Sequence, residues 1–257
     1  MSFFGGKSRT ADDAAVQGTN AVTVEALKKK YPRAREYALK EISFSIDRGE
    51  IVGLLGHNGA GKSTTLKCLT GMLPFIEGEI SVFGRSVKTD ATAVKASFGF
   101  VTDNHAVFSK MTGLEYIAFM ADIYGVSKED RESRLAELQE CFGLGERIGT
   151  LISSYSHGMK QKICMMGSLI HNPPLWILDE PMVGLDPRTM RAVSDYMRAY
   201  AEKGGAVLFS THNLDAVKRI CDRAVVIRNG LIELDSPVAE LDGDDLLERF
   251  FPKGEED

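Results

Sequence analysis

No apolar run in the 257 residues approaches the ~18–20 that a bilayer-spanning helix needs, and Met1 to Asp13 contains no hydrophobic signal core. The chain itself is therefore expected to stay soluble. Its four cysteines, Cys68, Cys141, Cys164 and Cys221, form no Cys-x-x-Cys pair and no short Cys/His cluster. That excludes a zinc module and a disulfide framework, and predicts reduced thiols in the core of a cytosolic protein. Basic residues are outnumbered, 31 Lys and Arg against 36 Asp and Glu for a net charge of −5, so there is no overall positive field to hold nucleic acid or anionic lipid. No internal repeat is present. What is there is 44% apolar content, ample for the core of one large α/β domain or two small ones.

The arrangement of that apolar content changes along the chain. Residues 1–20 are small and polar, the composition of a disordered tail. Val22 to Leu27 and Ile42 to Ile46 alternate apolar and polar residues, the period of half-exposed strands, and Ile80 to Phe83 reads as a third. From Thr112 the period becomes helical. Thr112 and Glu115 form a capping box for a helix to about Tyr124, and a second helix follows Ser127, with Gly143 placed to end it. The charge run Lys128 to Arg134 is a solvated face. Leu175 to Asp179, Ala206 to Ser210 and Ala224 to Ile227 are too apolar to alternate, which suits strands covered on both faces. Between the first two, Asp186 as N-cap, Pro187 at the first position and Gly204 at the end bound a helix with Met190, Val193, Met197 and Tyr200 on one face. This is a β-α-β unit with parallel strands. The short acidic segment 242–257 is expected to form one helix around Leu246, Leu247 and Phe250.

Residues 56–64 read Gly-His-Asn-Gly-Ala-Gly-Lys-Ser-Thr, a match to G-x-x-x-x-G-K-[ST], after the apolar run Ile51 to Leu55 and before a helical stretch. A chance glycine-rich turn is the bland alternative, but a strand before and a helix after are the context in which the pattern counts. Glycines let successive N–H groups curl around an anion, and the helix start adds its positive end. Gly56, His57, Asn58, Gly59, Ala60, Gly61, Lys62, Ser63 and Thr64 are thus the expected contacts of a nucleoside triphosphate. Lys62 reaches the β- and γ-phosphates, and the Ser63 hydroxyl ligates Mg²⁺.

Hydrolysis also needs a carboxylate for the metal and a group to orient water. Asp179 ends an apolar strand where ligands of doubly wound sheets bind, and Glu180 follows it. Asp179 is expected to hold Mg²⁺, through water, and Glu180 to polarise the attacking water. Taken alone, Asp179-Glu180-Pro181 is a strand end entering a turn; beside a phosphate loop it reads as catalytic. His212, at the end of the next strand, is placed to contact the γ-phosphate or the water, though a lone histidine there is commonly a structural or capping residue.

With these motifs the chain resembles the ATP-binding subunit of ABC transporters, from about Val22 to Leu241. The resemblance implies a P-loop NTPase core with a mostly parallel sheet, an N-terminal antiparallel β subdomain and an α-helical insert at about residues 104–168, all within one cassette, residues 21–241. Tyr31 matches the aromatic that stacks on adenine. Tyr155-Ser156-His157-Gly158-Met159 matches the family's Leu-Ser-Gly-Gly-Gln signature, with His157 and Met159 as departures. Physically, Ser156, Gly158 and the free N–H groups of the following helix make a second anion site, with His157 beside them. Gly184-Leu185-Asp186 looks like the family's interface-crossing loop. The resemblance further implies that two cassettes, identical or paralogous, pair head to tail with each ATP between the phosphate loop of one and the signature of the other. Asp103 stands where the family carries glutamine, in Phe100-Val101-Thr102-Asp103. Ionised, it accepts but cannot donate, so its expected part in catalysis and metal binding runs through a bridging water.

The function implied is an ATPase that powers a separate integral-membrane permease from the cytoplasmic face of the membrane, with the signature pointing to export. The insert is expected to carry a groove for the permease; Phe108, Met111, Tyr116 and Met120 are groove or core residues, core being the ordinary place for an apolar helical stripe. A soluble ABC-type ATPase acting on ribosomes or nucleic acid is the alternative, disfavoured by the single cassette and acidic tail. An ordinary P-loop kinase or GTPase is a third reading, but no Asn-Lys-x-Asp guanine motif is present.

Overall fold

A computed structural model describes residues 20–103 and 108–241. The first strands, β1 (Asn20–Lys29) and β2 (Leu39–Asp47), pair antiparallel and are joined by β4 (Glu77–Val82) and β5 (Arg85–Ser86) in the order β2-β1-β4-β5. The second sheet has the order β10-β9-β3-β8-β7-β6, formed by β3 (Ile51–Leu55), β6 (Phe98–Val101), β7 (Leu175–Asp179), β8 (Ala206–Thr211), β9 (Arg223–Arg228) and β10 (Leu231–Pro237). All its neighbours are parallel except the β9–β10 hairpin at one edge.

The parallel strands are apolar throughout because both faces are covered. On one face Ile51 and Leu55, Trp176 and Leu178, Val207 and Phe209 join a core shared with the helices. On the other, Val52 and Leu54, Leu175 and Ile177, Ala206 and Leu208 pack with β1, β2, β4 and the helix α1 (Lys62–Leu69). Arg223 ties the two sheets at their rim, donating to Glu50 at 2.9 Å, to Asp235 at 2.5 Å and to the Ser45 carbonyl at 2.8 Å.

After the short α2 (Ala91–Ala96) come α3 (Gly113–Ile123), α4 (Lys128–Phe142) and α5 (His157–Leu169), then α6 (Pro187–Glu202) and α7 (Leu214–Ile220). Local capping sets most of their ends. Thr112 Oγ1 accepts from Glu115 N–H at 3.2 Å while Glu115 accepts from Thr112 N–H at 2.8 Å, a complete capping box. Ser127 caps α4 and Gly143, at φ +60°, ends it. The four cysteines are free, and burial pushes the thiol of Cys68 up to about 11 and those of Cys141 and Cys164 to about 12.

The expected strands and helices are present, with four differences. β1 begins at Asn20, inside the segment read as tail, because its N-terminal end pairs with Asp47 of β2. Phe83 lies beyond β4, at φ +49°, in the turn to β5. α5 ends at Leu169 rather than at His171, whose ring stacks on Tyr124 instead. Of the four groove-or-core residues, Tyr116 is buried and Met120 packs against the core, Met111 is half-buried, and Phe108 is exposed with its ring edge-on to Phe119. The readings for residues 1–19, 104–107 and 242–257, including the helix around Leu246, Leu247 and Phe250, lie outside the described residues.

Candidate active site

The site lies at the C-terminal ends of β3, β8 and β7, adjacent strands of the parallel sheet, where the loops open toward ligand. β3 runs into the phosphate loop, whose shape depends on two glycines above all. Gly61, at φ +118°, is the N-cap of α1 and supplies no side chain to that helix start, which leaves the N–H groups there open to an anion. A Cβ on Gly56 would collide with the Ile227 carbonyl of β9. From behind, the β9–β10 turn holds the loop, with Gly230 N–H donating to the Ala60 carbonyl at 3.0 Å.

Lys62 is 6% exposed, and a buried ammonium is tolerated only with partners. Its Nζ donates to the carbonyls of Gly56 at 2.7 Å and His57 at 3.2 Å, and stands 3.4 Å from Glu180 Oε1. The same carboxylate oxygen lies 3.2 Å from His212 Nδ1. Lys62, Glu180 and His212 are thus brought together from three separate elements.

Asp179 is 1% exposed at the end of β7. Its Oδ1 accepts from Ser63 Oγ at 3.1 Å and from Ser210 Oγ at 2.5 Å, while its Oδ2 is buried without a hydrogen-bond partner. Burial raises its pKa above the ordinary carboxylate range, the two serine hydrogen bonds oppose that, and the charge of Asp103 adds to it. A buried carboxylate oxygen left unpaired beside a serine hydroxyl fits a hard cation that takes oxygen ligands, so Ser63 and Asp179 suit Mg²⁺.

Ser210 escaped the sequence reading. Parallel pairing of β7 with β8 sets Asp179 opposite Ser210, and the Ser210 hydroxyl, besides donating to Asp179, accepts from Glu180 N–H at 3.0 Å. Glu180 needs that hold, for its φ of +49° is left-handed and costs a non-glycine residue about 1–3 kcal/mol. Lys29 was missed as well. It is buried, donates to the Pro74 carbonyl at 2.5 Å and lies over the Tyr31 ring at 5.3 Å. Tyr31 in turn bonds Thr64 Oγ1 through its hydroxyl at 3.1 Å, which sets the aromatic ring beside the phosphate loop.

The signature segment opens α5. Ser156 is its N-cap, accepting from Met159 N–H at 3.3 Å, which leaves the hydroxyl hydrogen available to donate outward. Ser156 and His157 are exposed, and Gly158 is half-buried. Asp186 uses its carboxylate on α6: Oδ1 accepts from the N–H groups of Arg188 and Thr189, and Oδ2 from Thr189 Oγ1 at 2.6 Å. Those bonds hold it below the usual carboxylate range.

The family model of the ABC transporter matches residues 39–183. The fluoroquinolones export ATP-binding protein of Mycobacterium tuberculosis (strain CDC 1551 / Oshkosh) is 35% identical over 223 residues, 86% of this chain and 72% of that one. Among solved structures, an ATP-binding subunit of an ABC transporter is 31% identical with a TM-score of 0.84, covering 90% of this chain and 99% of the other. The dimeric structure of MJ0796, a bacterial ABC transporter cassette, is 25% identical with a TM-score of 0.77, covering 84% and 98%. A phosphate loop, a buried strand-end aspartate followed by glutamate, and these similarities make the chain a member of the ABC transporter family, an ATP-binding and ATP-hydrolysing cassette.

Proposed function

We propose that this cassette works as one of a head-to-tail pair and uses ATP hydrolysis to drive export through a separate membrane permease. The observation that carries the hydrolytic part is the convergence of Lys62 and His212 on one carboxylate oxygen of Glu180, next to a buried Asp179 with an unpaired Oδ2. In this reading the loop N–H groups and Lys62 bind the phosphates, and Tyr31 packs on the base. Ser63 and Asp179 would hold Mg²⁺, which when bound would supply positive charge beside the phosphates. Glu180 turns from Lys62 toward the attacking water when the ammonium engages phosphate, and His212 keeps that carboxylate oriented. Asp103, near enough to influence Asp179, acts through a bridging water.

Pairing is supported by the dimeric MJ0796 cassette, in which a similar chain is found as a dimer. The exposed Ser156–Gly158 helix start is the surface that would meet the partner's nucleotide, with Asp186 nearby. Export is supported by the function named for the mycobacterial relative. In this reading the permease is another polypeptide; no helix among the described residues is long and apolar enough to cross a membrane. The chain would then sit peripherally at the cytoplasmic face.

The test is Glu180→Gln. Turnover should fall by ~10²-fold or more, the scale of a lost general base, while ATP still binds and a long-lived dimer accumulates in light scattering. Undiminished hydrolysis would remove Glu180 from its role.

A further inference from the structure

Gln161, on the second turn of α5, differs from the rest of that helix start. Ser156 and His157 face solvent, whereas Gln161 is fully buried. Its Nε2 donates to the Pro181 carbonyl, and its Oε1 is buried with no hydrogen-bond partner. A glutamine placed for stability alone would be a poor choice, because the orphaned oxygen forfeits what the single hydrogen bond returns. What the amide does is hold Pro181.

Pro181 follows Glu180, whose left-handed backbone is gripped on its other side by Ser210. The peptide before Glu180 is therefore fixed from β8, and the residue after it from α5. The rest of the turn lies against the same helix start. A Cβ on Gly184 would stand 2.5 Å from the His157 ring, and one on Gly158 would stand 3.2 Å from the Gly184 carbonyl, so neither segment shifts without displacing the other.

We propose that Gln161 is a positioning residue for ATP hydrolysis: through Pro181 it sets the backbone from which Glu180 aims its carboxylate, and it ties that aim to the signature segment of the same helix. The inference rests on Glu180 as the group that orients water. A movement of α5 imposed at Ser156–Gly158 is thereby transmitted to Glu180 of the same chain.

Two substitutions in the full chain test this. Gln161→Met keeps the length and removes both amide atoms. Its affinity for a fluorescent ATP analogue and its KM should match wild type, while kcat falls roughly tenfold, short of the ~10²-fold that a 1 Å misplacement can cost. Gln161→Glu supplies the conservative control. A protonated glutamate can donate to the Pro181 carbonyl as the amide does, whereas an ionised one can only repel it. Turnover of this variant relative to wild type should therefore rise as pH falls. Gln161→Met assayed at the same pH values is the control, since it keeps His157, Lys160 and Lys162 on α5 and Glu180 and Asp186 on the facing loop without an ionisable side chain at position 161. A wild-type kcat in Gln161→Met, or a ratio for Gln161→Glu that stays flat with pH, overturns the proposal. Glu180→Gln assayed alongside separates the two readings: if its turnover falls and that of Gln161→Met does not, only the role of Gln161 is lost, whereas retained turnover in Glu180→Gln removes both.

Discussion

Two helix starts among the described residues, those of α1 and α5, are proposed to face an anion, and they are built in different ways. At α1 the N-cap is Gly61, which brings no side chain, and the surrounding charges are sunk in the fold: Lys62 against two carbonyls, Asp179 against two serines. At α5 the N-cap is Ser156, which satisfies one of its own helix's N–H groups and is exposed, as is His157, whose ring lies against Gly184. The first arrangement is a pocket finished within one chain. The second is an exposed surface, the one that in the proposed pairing meets the nucleotide of the other cassette. Buried, mutually fixed charges bind by preorganisation, while an exposed cap adds affinity once the encounter is made.

The largest test of this contrast falls on the pocket. Lys62→Ala removes the charged donor from the phosphates and leaves Glu180 and the carbonyls of Gly56 and His57 without their cation. ATP affinity of the single chain should drop roughly 10–100-fold, the size of a lost charged hydrogen bond, and turnover should drop with it. Equal ATP affinity for variant and wild type by isothermal titration would mean that the loop is not where the phosphates sit.

Ser156→Arg strikes the surface. The arginine fills the space above the α5 start without touching the phosphate loop, and sites with no shared partner act independently to within ~0.3–0.5 kcal/mol. ATP affinity of the single chain should therefore stay within about twofold of wild type. In a Glu180→Gln background the closed dimer should disappear from light scattering. A dimer that survives the arginine would show that the α5 start does not face a partner's nucleotide.

The same contrast explains what was legible in the sequence. The phosphate loop and the caps Thr112, Ser127, Gly143 and Asp186 are short patterns whose meaning is set by residues three or four positions away, and each is where the pattern put it. Tyr155–Met159 resembles the family's signature despite His157 and Met159, and the serine of that stretch is an N-cap in the structure. Ser210, Gln161 and Lys29 act on Asp179, Pro181 and the Pro74 carbonyl, and those partners are known only after β7 registers with β8, α5 packs on the 181–185 turn, and the segment before β4 comes beside the end of β1. In a linear reading Ser210 is one more small residue in an apolar strand. The edge strand β10 escaped for a different reason: Leu231–Pro237 ends in a proline, which weighs against a strand unless its place at the edge of a sheet is known.

The smallest effect belongs to the helical layer that presents the signature. Thr112→Ala removes the side-chain half of the capping box and should cost about 1 kcal/mol, or ~2–4 °C in the melting temperature of a chain this size. ATP affinity should not change, since α3 supplies no residue to the pocket. The difference between wild type and variant should also depend on pH in a definite direction. The backbone N–H of Thr112 first, and its hydroxyl second, hold the Glu115 carboxylate below the usual range. A carboxylate depressed in the folded state stabilises it above the unfolded pKa and loses that contribution as pH falls through the folded one. Thr112→Ala removes part of the depression, so the melting-temperature gap should be full at neutral pH and narrow on acidification below the ordinary glutamate value. A gap that stays constant across that range would mean that the cap acts through Thr112 alone and that the Glu115 charge takes no part in it.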